Sequence, residues 1–394
     1  MRRVFFTLLL ILIPACGGSD HSSPAPPLPL SPAPAAPSAA PSSPLSASPP
    51  VSQGAARCTN PAPRSPYLAF VTATSAMVGW RCGPVGTVKW GSGANLDESL
   101  QDNTGEDQHF ALIPSLNPQA AYSYQVEVDG IPLGGPTRFT TAPPPGNNHF
   151  SFVAFADSGT GSPEQLQLAR LLSAMSFSLA IIAGDLVYDS GADAEYDPHY
   201  FLPYSTLIDH IPFFPVPGNH DIVTDGGLPF RQNLFLPKGH FYYDFFWGDT
   251  HFIGLDSNQV TDPGQNSWLA SVIGMSARWK IVYFHHPPFN SGAYGNDPAV
   301  RRSWVPLFAR NQVDLVITGH AHDYERTVPQ NGVTYVVTGG GGAPLYPVKE
   351  SDFTAFSEEI HEILSVHITE SQLTLQALDS AGNVIDQFTQ TKPS

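Results

Sequence analysis

The chain has 394 residues, 42% of them hydrophobic and 40 of them proline, a composition that supports about two packed domains plus a segment that packs no core. With 18 Lys and Arg against 34 Asp and Glu, the formal charge is 18 − 34 = −16, and no basic block interrupts it. This argues against nucleic-acid binding through phosphate neutralisation, and it disfavours anionic substrates unless bound cations reverse the field locally.

Met1–Arg3 followed by Val4–Ile13 reads as a basic n-region and an apolar h-region. The run is too short for a membrane span, which takes roughly 20 apolar residues. Ile13-Pro14-Ala15-Cys16 resembles a bacterial lipobox, so residues 1–16 are expected to be a lipoprotein signal peptide, with a lipid on Cys16 as the membrane attachment. Pro14 is an unusual occupant, and export without a lipid is the alternative. Gly17-Gly18, with no Asp directly after the cysteine, resembles signals for delivery to the outer membrane or surface, with the periplasm as the other destination. Residues 17–57 are dominated by Pro, Ser and Ala, with 11 prolines between Pro24 and Pro50. Such a segment is expected to form an extended polyproline-like stalk, at ~3.1 Å per residue.

With Cys16 assigned to lipid, Cys58 and Cys82 remain. In an oxidising compartment they are expected to form a disulfide that contributes ~3 kcal/mol; two buried free thiols are the alternative. Residues 58–143 carry short β-type runs, Tyr67–Thr72, Ala76–Trp80, Thr87–Trp90, Phe110–Ile113 and Tyr122–Val128, punctuated by Gly, Pro and Asn. Leu116-Asn-Pro, Tyr122-x-Tyr124 and Phe139–Ala142 resemble a fibronectin type III module, for which spacing and packing are the expected roles.

Residues 148–394 change to strands alternating with helices, an α/β pattern. Ser151–Ala156, Leu179–Ala183, Trp279–Phe284, Val313–Thr318 and Val333–Thr338 read as strands. Ser162 and Pro163 form a helix-start signal for Gln165–Met175, and Ala299–Arg310 has helical spacing. Phe241–Phe246 and His251–Leu255 suggest a hairpin, and Ile363–Ile368, Leu373–Leu378 and Val384–Phe388 an antiparallel meander.

Five short clusters follow predicted strands: Asp157-Ser-Gly159, Gly184-Asp185-Leu-Val-Tyr188, Gly218-Asn219-His220-Asp221, Val282-Tyr-Phe-His285 and Gly319-His320-Ala-His322. Each alone could be a turn. Together they bring carboxylate, phenol, amide and imidazole donors to one sheet edge, a set suited to Fe, Zn or Mn.

In their order, the clusters resemble the five motifs of the purple acid phosphatases, within the calcineurin-like metallophosphoesterases. The fold implied is a two-sheet α/β sandwich preceded by the small all-β sandwich. Many relatives outside the purple branch carry a histidine where Gly159 stands and no tyrosine at the place of Tyr188; the two changes exchange one ligand for another on the same metal. Carried over by position, the resemblance gives one metal, Fe(III), to Asp157, Asp185, Tyr188 and His322. A divalent ion, Fe, Zn or Mn, falls to Asp185, Asn219, His285 and His320, with Asp185 shared. The implied activity is hydrolysis of phosphate monoesters by a hydroxide on the metal pair, with His220 binding phosphate or protonating the leaving group. A phosphodiesterase using the same centre, or a lipid-anchored surface protein with a vestigial one, are the alternatives.

Other features have plainer expectations. The second substrate histidine pair of plant relatives falls near Tyr294 and Gly295, where Tyr294 or Asn296 is a candidate replacement. His286 and Asp221 are expected to orient neighbours, Asp323–Arg326 to be a helix or loop anchor held by ion pairing, and Gly339–Gly342 a flexible bend. His199, His210, His240, His251, His361 and His367 are assigned to surface or core packing.

Overall fold

A computed structural model describes Cys58 and residues 63–393. The leader, the Cys16 site and the 17–57 stalk lie outside the described residues. Among the described residues, no helix is long and apolar enough to cross a membrane.

The first region contains β1 (Arg64–Val71), β2 (Ala76–Arg81), β3 (Gly86–Ser92), β4 (Glu98–Asp102), β5 (Gln108–Ile113), β6 (Ala121–Val128), β7 (Ile131–Pro132) and β8 (Thr137–Thr140). They form one sheet in the order β1-β2-β5 and another in the order β4-β3-β6-β7, with β8 also on β6. Alternation builds the shared core: Tyr122, Tyr124, Val126 and Val128 of β6 turn inward and meet Val78 and Trp80 of β2. Cys58 and Cys82 are joined by a disulfide. Neither β4, which is largely exposed, nor the two-residue β7 was evident in the sequence pattern.

The α/β region begins with β9 (Phe150–Phe155), α1 (Pro163–Ala174), β10 (Leu179–Ala183), α2 (Asp193–Tyr196), β11 (Phe213–Val216) and α3 (Leu228–Asn233). It continues through β12 (Tyr243–Trp247), β13 (Thr250–Gly254), α4 (Pro263–Val272), β14 (Trp279–Tyr283), α5 (Pro298–Ser303) and α6 (Val305–Arg310). It ends with β15 (Leu315–Thr318), β16 (Tyr324–Thr327), β17 (Thr334–Thr338), β18 (Thr354–Glu358), β19 (Glu362–Ile368), β20 (Gln372–Asp379) and β21 (Val384–Thr391). Two sheets result, β11-β10-β9-β19-β20-β21 and β12-β13-β14-β15-β17-β16-β18. Phe152 of the first packs edge-on against Phe252 of the second, with ring centroids 5.2 Å apart.

Ser162 caps α1 as expected: its hydroxyl accepts from the Gln165 N–H at 3.1 Å. The 299–310 helix is broken in two, because Pro306 cannot continue the hydrogen-bond ladder and a new helix starts at Val305. Asp323–Arg326 is neither helix nor loop: residues from Tyr324 onward form β16, antiparallel to β17 and β18. The expected ion pairing is there, since Arg326 Nε donates to Asp386 at 2.6 Å.

The two regions share a core cluster. Phe70 of β1 meets Phe214 edge-on at 5.2 Å, and Tyr67 donates to the Asn233 carbonyl at 2.8 Å. Two buried arginines add a polar clamp. Arg64 Nε donates to Asp197 at 2.7 Å, and Arg81 donates to Asp193 at 2.9 Å; both guanidiniums also reach the Asn233 amide oxygen. The β region therefore does more than space the second domain: it holds the segment after residue 192, next to the candidate site.

Candidate metal centre

Parallel strands deliver the donors. β9, β10 and β11 run side by side, as do β14 and β15, so their C-terminal ends open on one crevice. Three strand-end residues, Asp157, Asp185 and His320, adopt left-handed φ values of 57°, 51° and 69°. That conformation disfavours a side chain, and such residues concentrate at sites where function fixes the backbone.

All seven sequence-predicted ligands converge. Ligand atoms of Asp157, Asp185 and His285 lie within 4.8 Å of one another. The Tyr188 hydroxyl donates to Asp157 Oδ1 at 3.0 Å and lies 3.2 Å from His322 Nε2. Asn219 Oδ1 lies 3.0 Å from His285 Nε2 and 2.9 Å from His320 Nδ1, while His285 Nε2 is 3.3 Å from Asp185 Oδ2. Donors bonded at ~2.1 Å to one octahedral ion stand roughly 3 Å apart, the same spacing.

The hydrogen bonds behind the ligands test whether cations fit. His285 Nδ1 faces the Ala183 carbonyl at 3.0 Å, and His322 Nδ1 faces the Pro344 carbonyl at 2.8 Å. A carbonyl only accepts, so each Nδ1 carries a proton, and in its neutral form the ring presents its Nε2 lone pair to the crevice. That lone pair then meets acceptors, Asn219 Oδ1 and Asp185 Oδ2 for His285, Asp157 Oδ1 for His322. Acceptor against acceptor is stable only with a positive charge between them. Burial disfavours an imidazolium at His285, but Asp185 and then Asp157 outweigh it and hold its pKa up at about 9. Burial and then His285 push His320 down to about 4, leaving a neutral ligand. Burial, then Asp157 and Asp185, push the Tyr188 phenol well above its usual range, so only a strong Lewis acid would turn it into a phenolate. The donor set fits metal.

Close backbone packing sets these positions. A Cβ on Gly159 would land on the Leu186 carbonyl, and the Tyr188 N–H donates to the Gly159 carbonyl at 2.8 Å. The missing side chain at 159 and the tyrosine at 188 are thus one packing solution. Asp221 accepts from the Leu186, Val187 and Gly218 N–H groups at 3.0, 3.2 and 2.8 Å, tying the Asp185–Tyr188 turn to the Asn219 turn. Gly339–Gly342 is not a flexible bend. Gly341 N–H donates to Ala156 at 3.1 Å, and side chains at 339 and 341 would strike the Ala321 and Ala156 carbonyls. The glycines let one backbone lie against another behind Asp157.

His220 lies beside the centre. Its N–H donates to Asp185 Oδ1 at 2.9 Å, its ring is 4.4 Å from that of Tyr188, and its Nδ1 lies 2.6 Å from the Asp189 carbonyl. Nδ1 therefore holds a proton and Nε2 is the nitrogen left for a substrate. His286 is held by Ser257, whose hydroxyl is 2.8 Å from its Nδ1. Tyr294 sits over His320 with ring centroids 4.5 Å apart, whereas Asn296 is engaged by the Asn290 N–H. Of the remaining histidines, His199 lies 3.1 Å from the Tyr188 carbonyl and His361 3.0 Å from Gly340, while His210, His240, His251 and His367 engage Asp209, Tyr242, Asp244 and Ser151.

Sequence reasoning missed Tyr346, stacked on His322 at 4.3 Å, and Glu195, which accepts from the Asp189, Ser190 and Ala192 N–H groups. The clamp residues Arg64, Arg81 and Asn233 were missed too. The Asp193-x-Glu195-x-Asp197 spacing just after the second motif was the available signal.

Fold and site define a metal-dependent phosphoester hydrolase. Residues 150–324 match the calcineurin-like phosphoesterase family. Purple acid phosphatase 4 of Arabidopsis thaliana is 25% identical over 292 residues, 64% of this chain and 86% of the relative. A second Arabidopsis protein, probable inactive purple acid phosphatase 1, is 25% identical over 353 residues, 72% of this chain and 57% of its own length. Purple acid phosphatase PPD1 from yellow lupin shares the fold, with a TM-score of 0.75 at 20% identity over 84% of this chain and 74% of its own. Residues 150–324 thus carry a calcineurin-like phosphoesterase domain, and the chain is similar to the purple acid phosphatases.

Proposed function

We propose that the protein is an acid phosphatase that hydrolyses phosphate monoesters at a two-metal centre. The observation that carries this is the single network of seven donors, with Asp185 between the two groups. Asp157, Asp185, Tyr188 and His322 would hold Fe(III), the ion that best stabilises a phenolate; Asp185, Asn219, His285 and His320 would hold a divalent Fe, Zn or Mn. When bound, such a pair lowers the pKa of water and offsets charge that builds on a phosphoryl group.

The chain's own residues do the rest. The buried carboxylates and the imidazoles they face keep the floor of the site dry, while Asn219, His220 and His320 are half-exposed at its open side. His220, its Nδ1–H fixed on the Asp189 carbonyl, offers Nε2 to bind phosphate or protonate a leaving group. The presence of all seven ligand types supports an active centre over a vestigial one. The expected setting is the bacterial envelope, by export and a lipid on Cys16.

Two measurements test the reading. Rates on a monoester should exceed those on a bis-aryl diester; the reverse order makes the protein a phosphodiesterase. His220→Ala should slow esters with poor leaving groups about 10²-fold, and activated aryl esters far less. Equal losses on both would remove the acid role.

A further inference from the structure

Beneath the rim of the centre lies a second group of oxygens. Asp323 and Glu325 are both buried, at 0% and 1% exposure. Glu325 is satisfied by the Ser291 N–H and hydroxyl, each at 2.7 Å, and the Thr354 hydroxyl at 2.6 Å. Asp323 is not: its Oδ2 has no partner among the described residues, and neither has Oδ1 of buried Asn290. The Asn290 amide cannot be turned to help, because its Nδ2 faces both carboxylates, at 3.4 and 3.3 Å.

The two unpartnered oxygens point to one place. The position a Cβ would take on Gly292 is 2.5 Å from Asp323 Oδ2, 3.3 Å from Asn290 Oδ1 and 3.4 Å from the Pro347 carbonyl. Outside residues 291–293 these three acceptors are the nearest atoms to it. A water has two protons and cannot satisfy three acceptors, whereas a cation can. Two buried carboxylates with no basic partner among the described residues also leave negative charge that low-dielectric surroundings penalise.

We propose that Asp323, Asn290 and the Pro347 carbonyl bind a hard, calcium-sized cation, at a site separate from the two-metal centre. Oxygen ligands that include a backbone carbonyl and an amide suit calcium better than iron or zinc. The site has a structural consequence. Asn290 and Gly292 belong to the loop of Tyr294, Pro347 follows Tyr346, and Asp323 follows His322. One ion would tie the two segments whose rings cover His320 and His322, those of Tyr294 and Tyr346, to the segment that carries the histidines, so calcium would stabilise the rim of the centre.

The test uses full-length protein reconstituted with iron and zinc, so that the seven-donor centre is filled. Calorimetric titration with calcium chloride should give one ion per chain, half-saturating at roughly 10⁻⁴–10⁻³ M. The same concentrations should raise the melting temperature by several degrees. Asp323→Asn should weaken uptake at least tenfold, and Gly292→Ala, whose methyl group meets the same oxygens, should do likewise. Asp185→Asn should leave it unchanged. If Asp323→Asn does not fold, Asn290→Asp adds charge to the same oxygens and should tighten binding. No calcium uptake by the wild type, uptake unaffected by Asp323→Asn, or uptake lost in Asp185→Asn would overturn the proposal. So would calcium-independent stabilisation by Asp323→Asn, which would mean that a proton on Asp323 fills the role.

Discussion

The β region and the α/β region use unusual backbone for different ends. In the first, the non-glycine residues with left-handed φ are Ser115, Gln119 and Asp129, all in turns outside its strands. In the second, Asp225, Lys238, Gln312 and Asn331 also take it outside strands, but Asp157, Asp185 and His320 take it two residues beyond strand ends, and all three join the seven-donor network. Buried polar groups divide similarly. The arginines of the β region point out of it to acidic partners across the boundary, whereas buried carboxylates of the α/β region face imidazoles. Strain and desolvated charge thus mark the functional half, and the other half serves as a brace.

The sharpest way to break this contrast is Asp185→Asn, which removes the carboxylate between the two donor groups. Metal analysis should find both ions depleted, with activity lower by on the order of 10²–10³-fold. Loss of only one ion would remove the shared role. A matched pair of glycine substitutions comes next. Gly159→Ala must displace the Leu186 backbone and with it Asp185 and Tyr188, and should lower metal content and activity at least tenfold by roughly the effect of disturbed ligand support. Gly135→Ala in the β region meets nothing within 4 Å and should leave both unchanged.

The effect that leaves metal content and activity least affected is a pH dependence of stability behind the site. Burial raises the Glu362 carboxyl from 4.5 to about 8, against the lowering effect of the Thr338 hydroxyl and the Gly340 N–H. Because the folded pKa lies above the unfolded one, the fold favours the protonated acid. Its contribution is complete below pH 4.5 and is lost as pH rises towards 8. Glu362→Gln keeps the neutral shape, so denaturation should find it similar to wild type at pH 4.5 and more stable by roughly 2–4 kcal/mol at pH 8. A constant difference across that range would exclude burial of this acid as the cause.

Much of the site was legible because its motifs are local. Each ligand follows a β-branched or apolar strand, so the strand pattern fixed where the donors fall, and parallel pairing brought them together. What was missed depends on contacts between distant segments. Arg64 and Arg81 look like ordinary strand-end charges until α2 and α3 supply Asp193 and Asn233. Tyr324–Thr327 lacks an apolar alternation because Glu325 is buried by Ser291 and Thr354. The four residues Phe213–Val216 contain a proline, which a strand tolerates here because β11 lies at the edge of its sheet. A run of four glycines suggests mobility in one dimension and close backbone packing in three.

The central claim is that Tyr188 and the six other donors enclose a pair of ions. The visible absorption spectrum of the iron-loaded protein tests it most directly, because a phenolate bound to Fe(III) absorbs there. The account predicts a visible band in the wild type that disappears in Tyr188→Phe while iron remains bound. An identical band in Tyr188→Phe, or no band from a wild type shown to hold Fe(III), would contradict it.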